Sequence, residues 1–253
     1  MVIAVITGAS TGLGKEYINA IIEQYPNVEG FWIIARRKEL LKEIALEHPD
    51  KTIAAISLDL AKEESISLFE KLLKEGNPEI KVLVNNAGYG KGGDFFSSDR
   101  AAQAGMVDLN CRALTEITRL CLPYMLDDSL VLNVASIAAF APTPRMAVYS
   151  ATKAYVLAFS KALHNELRSR GITVTAVCPG PMDTEFWQVA NITEGKSQLI
   201  DRLPRVDPQE VAEQSLCAAM AGKRLYTKGF FYKFYHLLTK VLPHGFMMKF
   251  TQV

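Results

Sequence analysis

Six short apolar segments alternate with segments of helix length along this chain, and this alternation constrains the fold more than any other feature. The apolar segments are residues 2–7, 31–35, 52–57, 81–85, 130–134 and 173–178. The helical segments are residues 12–25, 38–48, 62–75, 99–125 and 148–170. Short apolar strands are typical of a sheet covered on both faces, and strand–helix alternation favours parallel pairing. The sequence therefore predicts one α/β domain, residues 1–253, built on a Rossmann-type doubly wound parallel sheet.

A glycine-rich turn, TGASTGLG at residues 7–14, follows the first predicted strand and opens the first predicted helix. Its TGxxxGxG spacing suits a pyrophosphate, which needs close approach of the backbone and the free N–H groups of a helix start. Glycine turns also occur only to pack a helix on a strand, but the position after a leading strand favours a dinucleotide site. The candidate residues of this turn are Gly8, Ser10, Thr11, Gly12, Leu13 and Gly14.

The second predicted strand ends at Ala35 and is followed by Arg36 and Arg37. Dinucleotide folds often carry a carboxylate here for the ribose hydroxyls, and a guanidinium suits a 2′-phosphate instead. The pair therefore favours NADP(H), with Arg36 as the better candidate, over a solvated basic pair at a helix start. Asp59, after the third strand, either accepts a bond from the adenine amino group or caps the next helix.

The fourth predicted strand ends in LVNNAG, residues 83–88. Two successive asparagines leaving an apolar strand are costly unless their amides are satisfied. We expect Asn85 and Asn86 to hold the loop and the neighbouring strands together, while Ala87 and Gly88 let the cofactor pass close by.

Ser136 follows the fifth predicted strand, and Tyr149 and Lys153 follow on the next helix at positions i and i+4. That spacing puts the phenol and the ammonium on one helical face. An ammonium stabilises a phenolate, so we expect Lys153 to lower the pKa of Tyr149 and make it a proton donor and acceptor. A serine hydroxyl nearby would bind a carbonyl or alcohol oxygen. A YxxxK pair by itself is common on exposed helices.

Taken together, TGxxxGxG, NNAG, Ser136, YxxxK and CPGPMDT (residues 178–184) resemble the short-chain dehydrogenase/reductase family over residues 2–184. The resemblance implies a fourth catalytic residue, Asn110, which holds a water in a proton relay with the lysine. It implies that Thr184, after Pro179 and Gly180, contacts the nicotinamide carboxamide, and that Lys153 also binds the nicotinamide ribose. Arg36 matches the basic residue of NADP-preferring members.

Two departures from the family pattern concern the serine motif and the end of the sequence. Ala135 replaces the first serine of a common SS pair, while the catalytic second serine is kept. The sequence ends in KGFFYKFYHLLTKVLPHGFMMKFTQV in place of a glycine-rich tail. This ending argues against the ketoacyl-carrier-protein reductase branch and its usual tetramer packing.

Two variable segments are expected to set specificity. Residues 183–206 form a predicted substrate lid with residues 194–198 as its tip, although its apolar side chains would also serve simply to pack it onto the core. Those side chains are Phe186, Trp187, Val189, Ile192 and Leu199. Residues 229–253 are rich in aromatic and aliphatic side chains that something must cover. Packing on the protein's own sheet or on another subunit is favoured over contact with a membrane surface or with substrate.

Composition limits the partners. The net charge of +1 gives no reason to expect nucleic-acid binding. The four cysteines lack metal-ligand spacing, so no metal site is expected. Because the sequence also has no recognisable secretory leader, we expect free thiols in the cytoplasm. The sequence thus predicts a homodimeric or homotetrameric NADP(H)-dependent oxidoreductase, a carbonyl reductase acting on a hydrophobic ketone or secondary alcohol that is steroid-like or acyl-like. The alternative is a catalytically silent NADP-binding regulatory protein.

Overall fold

In the computed structural model, seven parallel strands form one sheet in the order β3-β2-β1-β4-β5-β6-β7. The strands are β1 Val2–Thr7, β2 Gly30–Ala35, β3 Thr52–Ser57, β4 Glu79–Asn85, β5 Met125–Val134, β6 Thr173–Val177 and β7 Leu225–Tyr226. The structure describes residues 1–190 and 203–248, without the side chain of Val189. Ile192, Leu199 and the predicted lid tip lie outside the described residues, as do Lys249 and Phe250.

Helices connect the strands and cover both faces of the sheet. They are α1 Gly12–Gln24, α2 Lys38–Glu47, α3 Glu63–Gly76, α4 Arg100–Val107, α5 Leu114–Cys121, α6 Ala147–Glu166, α7 Phe186–Ala190, α8 Pro208–Met220, α9 Gly229–Val241 and α10 His244–Met247. Within residues 1–190 and 203–248, no helix is long and apolar enough to cross a membrane.

The alternation of side chains along the strands builds two core layers. In β1, Ala4 and Ile6 point into the layer that contains α1 and α8, whereas Ile3 and Val5 point into the layer that contains α3 and α5. All four side chains are fully buried. Burial on both faces is what an uninterrupted apolar strand requires, so the predicted doubly wound parallel sheet is confirmed.

The order of the strands also fixes where a ligand binds. From β1 the chain moves outward through β2 and β3, then returns to the other side of β1 with β4. Adjacent helices leave β1 and β4 in opposite directions at this reversal, which opens a crevice at the carboxyl ends of the two strands. The glycine turn follows β1 and the NNAG segment follows β4, so both predicted motifs meet at this crevice.

The predicted helix over residues 99–125 is wrong in its internal structure and at its end. Asp99 caps α4, a π-helical turn Asp108–Ala113 separates α4 from α5, and a 3₁₀ turn Leu122–Tyr124 follows. β5 then begins at Met125, five residues before the predicted strand. The start of β5 is irregular, with a shift in its pairing register with β4 and a left-handed Asp128 (φ 57°). The polar residues in this part of β5 break the apolar pattern from which the strand was predicted.

Five elements were absent from the predictions: α7, α8, β7, α9 and α10. α8 did carry a sequence signal: the side chain of Asp207 accepts a hydrogen bond from the Glu210 amide (3.1 Å), and Pro208 occupies the first turn. β7 has only two residues, which is too short for any periodic pattern.

Candidate active site

The glycine turn brings backbone close to the NNAG segment. Gly8 and Gly12 have positive φ angles of 66° and 54°, which favour glycine. A Cβ on Gly8 would lie 2.8 Å from the Cα of Ala87, and one on Gly14 would overlap the carbonyl oxygen of Gly8. The turn is therefore a tight backbone cradle at the start of α1, which suits a pyrophosphate.

Hydrogen bonds lock this cradle to the end of β4. The Thr7 hydroxyl accepts hydrogen bonds from the amides of Asn86 (3.0 Å) and Ala87 (3.1 Å). The Asn86 side chain in turn donates to the carbonyls of Thr7 (3.2 Å) and Gly8 (3.0 Å). The predicted role of Asn86 in holding the loop is thus confirmed. Thr7 was not singled out by the sequence analysis, although it is the first residue of the glycine motif.

Asn85 joins strands and helices below the crevice. Its Nδ2 donates to the Thr118 hydroxyl and to Asn133 Oδ1, both at 2.8 Å, and Asn133 donates to Ser160 (3.0 Å). All four side chains are buried, so the network links β4 and β5 to α5 and α6. This is the connection between neighbouring strands that the two asparagines predicted.

The two arginines after β2 have different surroundings. Arg37 donates to Glu185 Oε2 (2.8 Å), to the Thr11 hydroxyl (3.0 Å) and to the Ser10 hydroxyl (3.2 Å). The hydrogen bond from Arg37 lowers the pKa of the Glu185 carboxyl group, which therefore stays ionised. Arg36 is exposed and lines the crevice, with no side-chain hydrogen bond or ion pair to another described residue. Its guanidinium therefore has donors available for a ligand.

One cavity of about 1080 Å³ occupies the crevice. Every predicted catalytic or cofactor-binding residue lines it except Gly14, which packs inside the turn, and Asn110. Asp59 faces the cavity and accepts a bond from the Ala61 amide (3.3 Å), while the backbone of Lys62 caps α3. Thr184 lies beside Gly12, where a Cβ would be 3.1 Å from the threonine methyl group.

Tyr149, Lys153 and Ser136 meet in the wall of this cavity. Tyr149 and Lys153 are both buried on α6, and the Lys153 Nζ lies 5.8 Å from the centre of the tyrosine ring. The same Nζ donates to the carbonyl of Val134 at the end of β5 (2.8 Å). Ser136 follows that strand and its Oγ accepts from the Ala138 amide (3.1 Å), which leaves the hydroxyl proton for another partner.

Burial controls the protonation of this pair. It raises the pKa of Tyr149 to about 12, although a hydrogen bond with Ser136 opposes the rise. Burial also lowers the pKa of Lys153 to about 8. The expected lowering of the tyrosine pKa is therefore wrong for this structure, because the desolvation of the buried phenol is the largest contribution and exceeds the lowering by the Ser136 hydrogen bond. Near neutral pH the tyrosine keeps its proton and the lysine remains cationic.

Asn110 lies in the π-helical turn behind the cavity wall and is buried. Its Oδ1 accepts from the amide of Tyr89 (3.0 Å), and its Nδ2 donates to the Tyr89 carbonyl (2.9 Å) and to the Thr152 hydroxyl (3.1 Å). A Cβ on Gly88 would lie 2.9 Å from Asn110 Oδ1 and 3.5 Å from Lys153 Nζ. The asparagine thus holds the loop after β4 beside the lysine, and its part in a proton relay stays a prediction.

The wall beyond the candidate catalytic residues is apolar. Phe186 of α7 lies 5.5 Å from the ring centre of Tyr149 and packs edge-on against Trp187. The C-terminal helices add a further part of the wall through Phe231, Tyr232, Tyr235, Leu238, Leu242, Phe246 and Met247. Part of the aromatic segment therefore covers the protein's own cavity. Among residues 1–190 and 203–248, no cluster of His, Cys, Asp and Glu could hold a metal ion.

Comparisons with known proteins agree with this geometry. A family model described as short chain dehydrogenase matches residues 2–195, and the chain belongs to this family. An uncharacterized oxidoreductase of Staphylococcus aureus (strain MRSA252) is 28% identical over 225 residues, covering 88% of this chain and 93% of that protein.

Two solved structures are also similar. A short-chain dehydrogenase from Sphingobium yanoikuyae in complex with NADPH has 26% identity and a TM-score of 0.82, with 98% of this chain and 95% of that chain covered. The bulky-bulky ketone specific alcohol dehydrogenase from Comamonas testosteroni has 27% identity and a TM-score of 0.76, with coverages of 96% and 92%. The protein is thus an oxidoreductase whose cofactor is a nicotinamide dinucleotide.

Proposed function

We propose that this short-chain dehydrogenase is an NADP(H)-dependent oxidoreductase that interconverts a bulky apolar ketone and its secondary alcohol. The observation that carries the proposal is the cavity itself, where Tyr149, Lys153 and Ser136 lie between a glycine cradle and an apolar wall. The Comamonas testosteroni neighbour, named for bulky ketones, supports the same substrate class.

The cradle and the basic pair fit NADP(H). The turn at Gly8 and Gly12 offers backbone amides to a pyrophosphate, and Arg36 offers a guanidinium with free donors to a 2′-phosphate. Asp59 faces the cavity at the end of β3, in place to accept from the adenine amino group, and Thr184 lies beside the cradle. When bound, the nicotinamide donates or accepts the hydride.

The protein's own residues handle the oxygen and its proton. In the reductive direction the Ser136 hydroxyl donates to the carbonyl oxygen and orients it. Tyr149 keeps its proton at neutral pH and delivers it to the developing alkoxide. The Lys153 ammonium stabilises the resulting phenolate and is itself held in place by the Val134 carbonyl. In the oxidative direction the same groups act in reverse.

Several further assignments form part of the proposal. We place the activity in the cytoplasm, and the four cysteines, all free thiols, support a reducing compartment. Assembly into a homodimer or homotetramer stays a prediction. The apolar character of Phe186, Trp187 and the C-terminal helices supports a lid-like role for residues 183–206.

The test follows NADPH oxidation over a panel of carbonyl compounds: a ketosteroid, an aryl ketone, a β-ketoacyl thioester and a short aldehyde. We expect turnover on a bulky ketone, and Tyr149→Phe to lower it by about 10²–10⁴-fold with NADPH affinity kept. Tyr155→Phe is the matched control, because this tyrosine is exposed on the same helix and, among the described residues, its hydroxyl hydrogen-bonds only that of Thr115 (2.7 Å). Near-normal turnover by Tyr149→Phe would refute the mechanism. NADPH binding with no turnover of any carbonyl would favour the regulatory alternative.

A further inference from the structure

An apolar stripe lies on the outer side of α9. Its members are Phe230, Phe234, Leu237 and Val241, with exposed fractions of 83%, 48%, 57% and 74%. The rings of Phe230 and Phe234 stack at 6.1 Å. None of the four lines the cavity. We call these four residues the outer stripe. A contiguous exposed apolar surface of this kind marks an interaction site.

The adjacent side of the same helix forms the wall of the cavity. Tyr235, Leu238 and Leu242 line the cavity, and Phe231 lines it while remaining half exposed. Phe231 therefore connects the outer stripe to the cavity wall across the width of one helix. An apolar molecule leaving a surface bound to the outer stripe would meet apolar side chains all the way to the cavity.

The charge of this region differs sharply from that of the rest of the chain. Residues 214–253 contain six lysines and arginines and no aspartate or glutamate. The other 213 residues contain 22 lysines and arginines against 27 aspartates and glutamates, a net charge of −5. The overall charge of +1 therefore conceals a strongly basic end. The structure places Lys233 and Lys240 on α9, both exposed, next to the outer stripe.

Other cations reinforce this end of the molecule. Burial and the nearby charges of Lys240 and Arg224 lower the pKa of Lys161, which belongs to α6. The cationic groups of α6, α9 and the turn before β7 thus lie close enough to repel one another. An anionic partner would relieve this repulsion, whereas a two-fold contact through α9 would bring two such basic regions together.

We propose that α9 docks on an anionic lipid surface, with the outer stripe inserted at the boundary of headgroups and acyl chains and the lysines on the headgroups. Apolar side chains flanked by lysines are the composition that binds this boundary. Docking there brings the cavity wall to the place where a bulky apolar ketone dissolves. This second step rests on the proposed function, while the docking itself does not.

The experiment is flotation of the full-length protein with vesicles of phosphatidylcholine alone and with vesicles containing about a third phosphatidylserine. We expect binding to the anionic vesicles, much weaker binding to the neutral ones, and loss of binding as salt is raised. Phe230→Ser/Phe234→Ser should lower the partition coefficient at least about tenfold. Neutralising Lys233 or Lys240 with Gln should lower it about fivefold each.

Matched controls separate docking from general effects. Phe96→Ser removes a 98% exposed phenylalanine far from α9 in the sequence, and Lys71→Gln removes an exposed lysine from α3. Both should float as the wild type does. Since the outer stripe does not line the cavity, its variants should keep NADPH-dependent turnover of a water-soluble ketone. That assay reports on the proposed function independently of docking.

Two results would overturn the proposal. One is that the wild-type protein does not float with anionic vesicles, or that the outer-stripe variant and Phe96→Ser reduce its flotation equally. The other is an outer-stripe variant that floats normally but shows a smaller molar mass in light scattering, which would assign α9 to an interface between copies of this chain. An unchanged molar mass with lost flotation supports lipid docking.

Discussion

Replacing Arg36 with alanine should separate NADPH from NADH. The Arg36 side chain is exposed at the end of β2, lines the cavity and makes no hydrogen bond or ion pair with another described side chain. A charge-assisted hydrogen bond contributes about 1.5–3 kcal/mol, and each 1.4 kcal/mol is a factor of ten in affinity. We therefore expect Arg36→Ala to weaken NADPH about 10- to 150-fold and NADH less than about threefold.

Arg37→Ala is the matched control for this prediction. Its guanidinium is already engaged with Glu185, Ser10 and Thr11, and the ion pair is about half exposed, so its loss should cost at most about 1 kcal/mol. Because Arg37 braces the glycine turn, its removal should weaken both cofactors by a similar factor, at most about fivefold.

The assay is a pair of titrations, NADPH and NADH, followed by protein fluorescence for the wild type and both variants. The quantity to compare is the ratio of the two dissociation constants. If Arg36→Ala leaves that ratio unchanged, the 2′-phosphate assignment is refuted. If Arg37→Ala changes the ratio instead, the phosphate must displace Glu185 from Arg37.

Three further predictions follow from the site and its support. Because Lys153 has a pKa of about 8 and acts as a cation, kcat/KM for ketone reduction should fall above about pH 8, and a flat profile to pH 10 would contradict this role. Asn133→Ala should lower the free energy of unfolding, measured by urea denaturation, by about 2–4 kcal/mol, because it removes the buried hydrogen bonds to Asn85 and Ser160. The control Asn165→Ala, on the surface of α6, should change it by less than about 0.5 kcal/mol. Phe186→Ala should raise the ratio of kcat/KM for larger ketones to kcat/KM for small ones by about tenfold, because it widens the cavity beside Tyr149. The control Phe96→Ala should leave this ratio unchanged. An unchanged ratio for Phe186→Ala would show that Phe186 does not contact the substrate.

The glycine-turn side of the candidate site was predictable from the sequence because it depends on backbone. Gly8 must accept a left-handed conformation next to Ala87, and Asn86 must satisfy carbonyls of the turn, so few residue types fit. Such requirements leave short motifs at fixed positions. The sequence therefore indicated the glycine turn after β1 and the asparagine pair at the end of β4, and the structure brings the two together.

The substrate side was less predictable because apolar packing leaves no fixed motif. The aromatic residues of 229–253 predicted that something covers them, but only the structure shows that Tyr235 and Leu238 face the cavity while Phe230 and Val241 face outward. The direction of the Tyr149 pKa shift also escaped prediction. A sequence shows that an ammonium is near a phenol, whereas the depth of burial that dominates the shift is a property of the fold.

The positions of the two ends of the site along the sheet make lipid docking compatible with turnover. Arg36 follows β2, whereas α9 packs beside the ends of β5 and β6: Tyr232 lies against Gly180, and His236 stacks on Phe140. These two strands lie three and four positions from β2 in the sheet, so at about 4.8 Å between neighbouring strands the two sites are roughly 14–19 Å apart along the crevice. A lipid surface in contact with α9 therefore leaves the β2 and β3 edge open to water. The charged dinucleotide can exchange there while an apolar ketone enters at the other end, so docking at α9 need not slow the release of the cofactor.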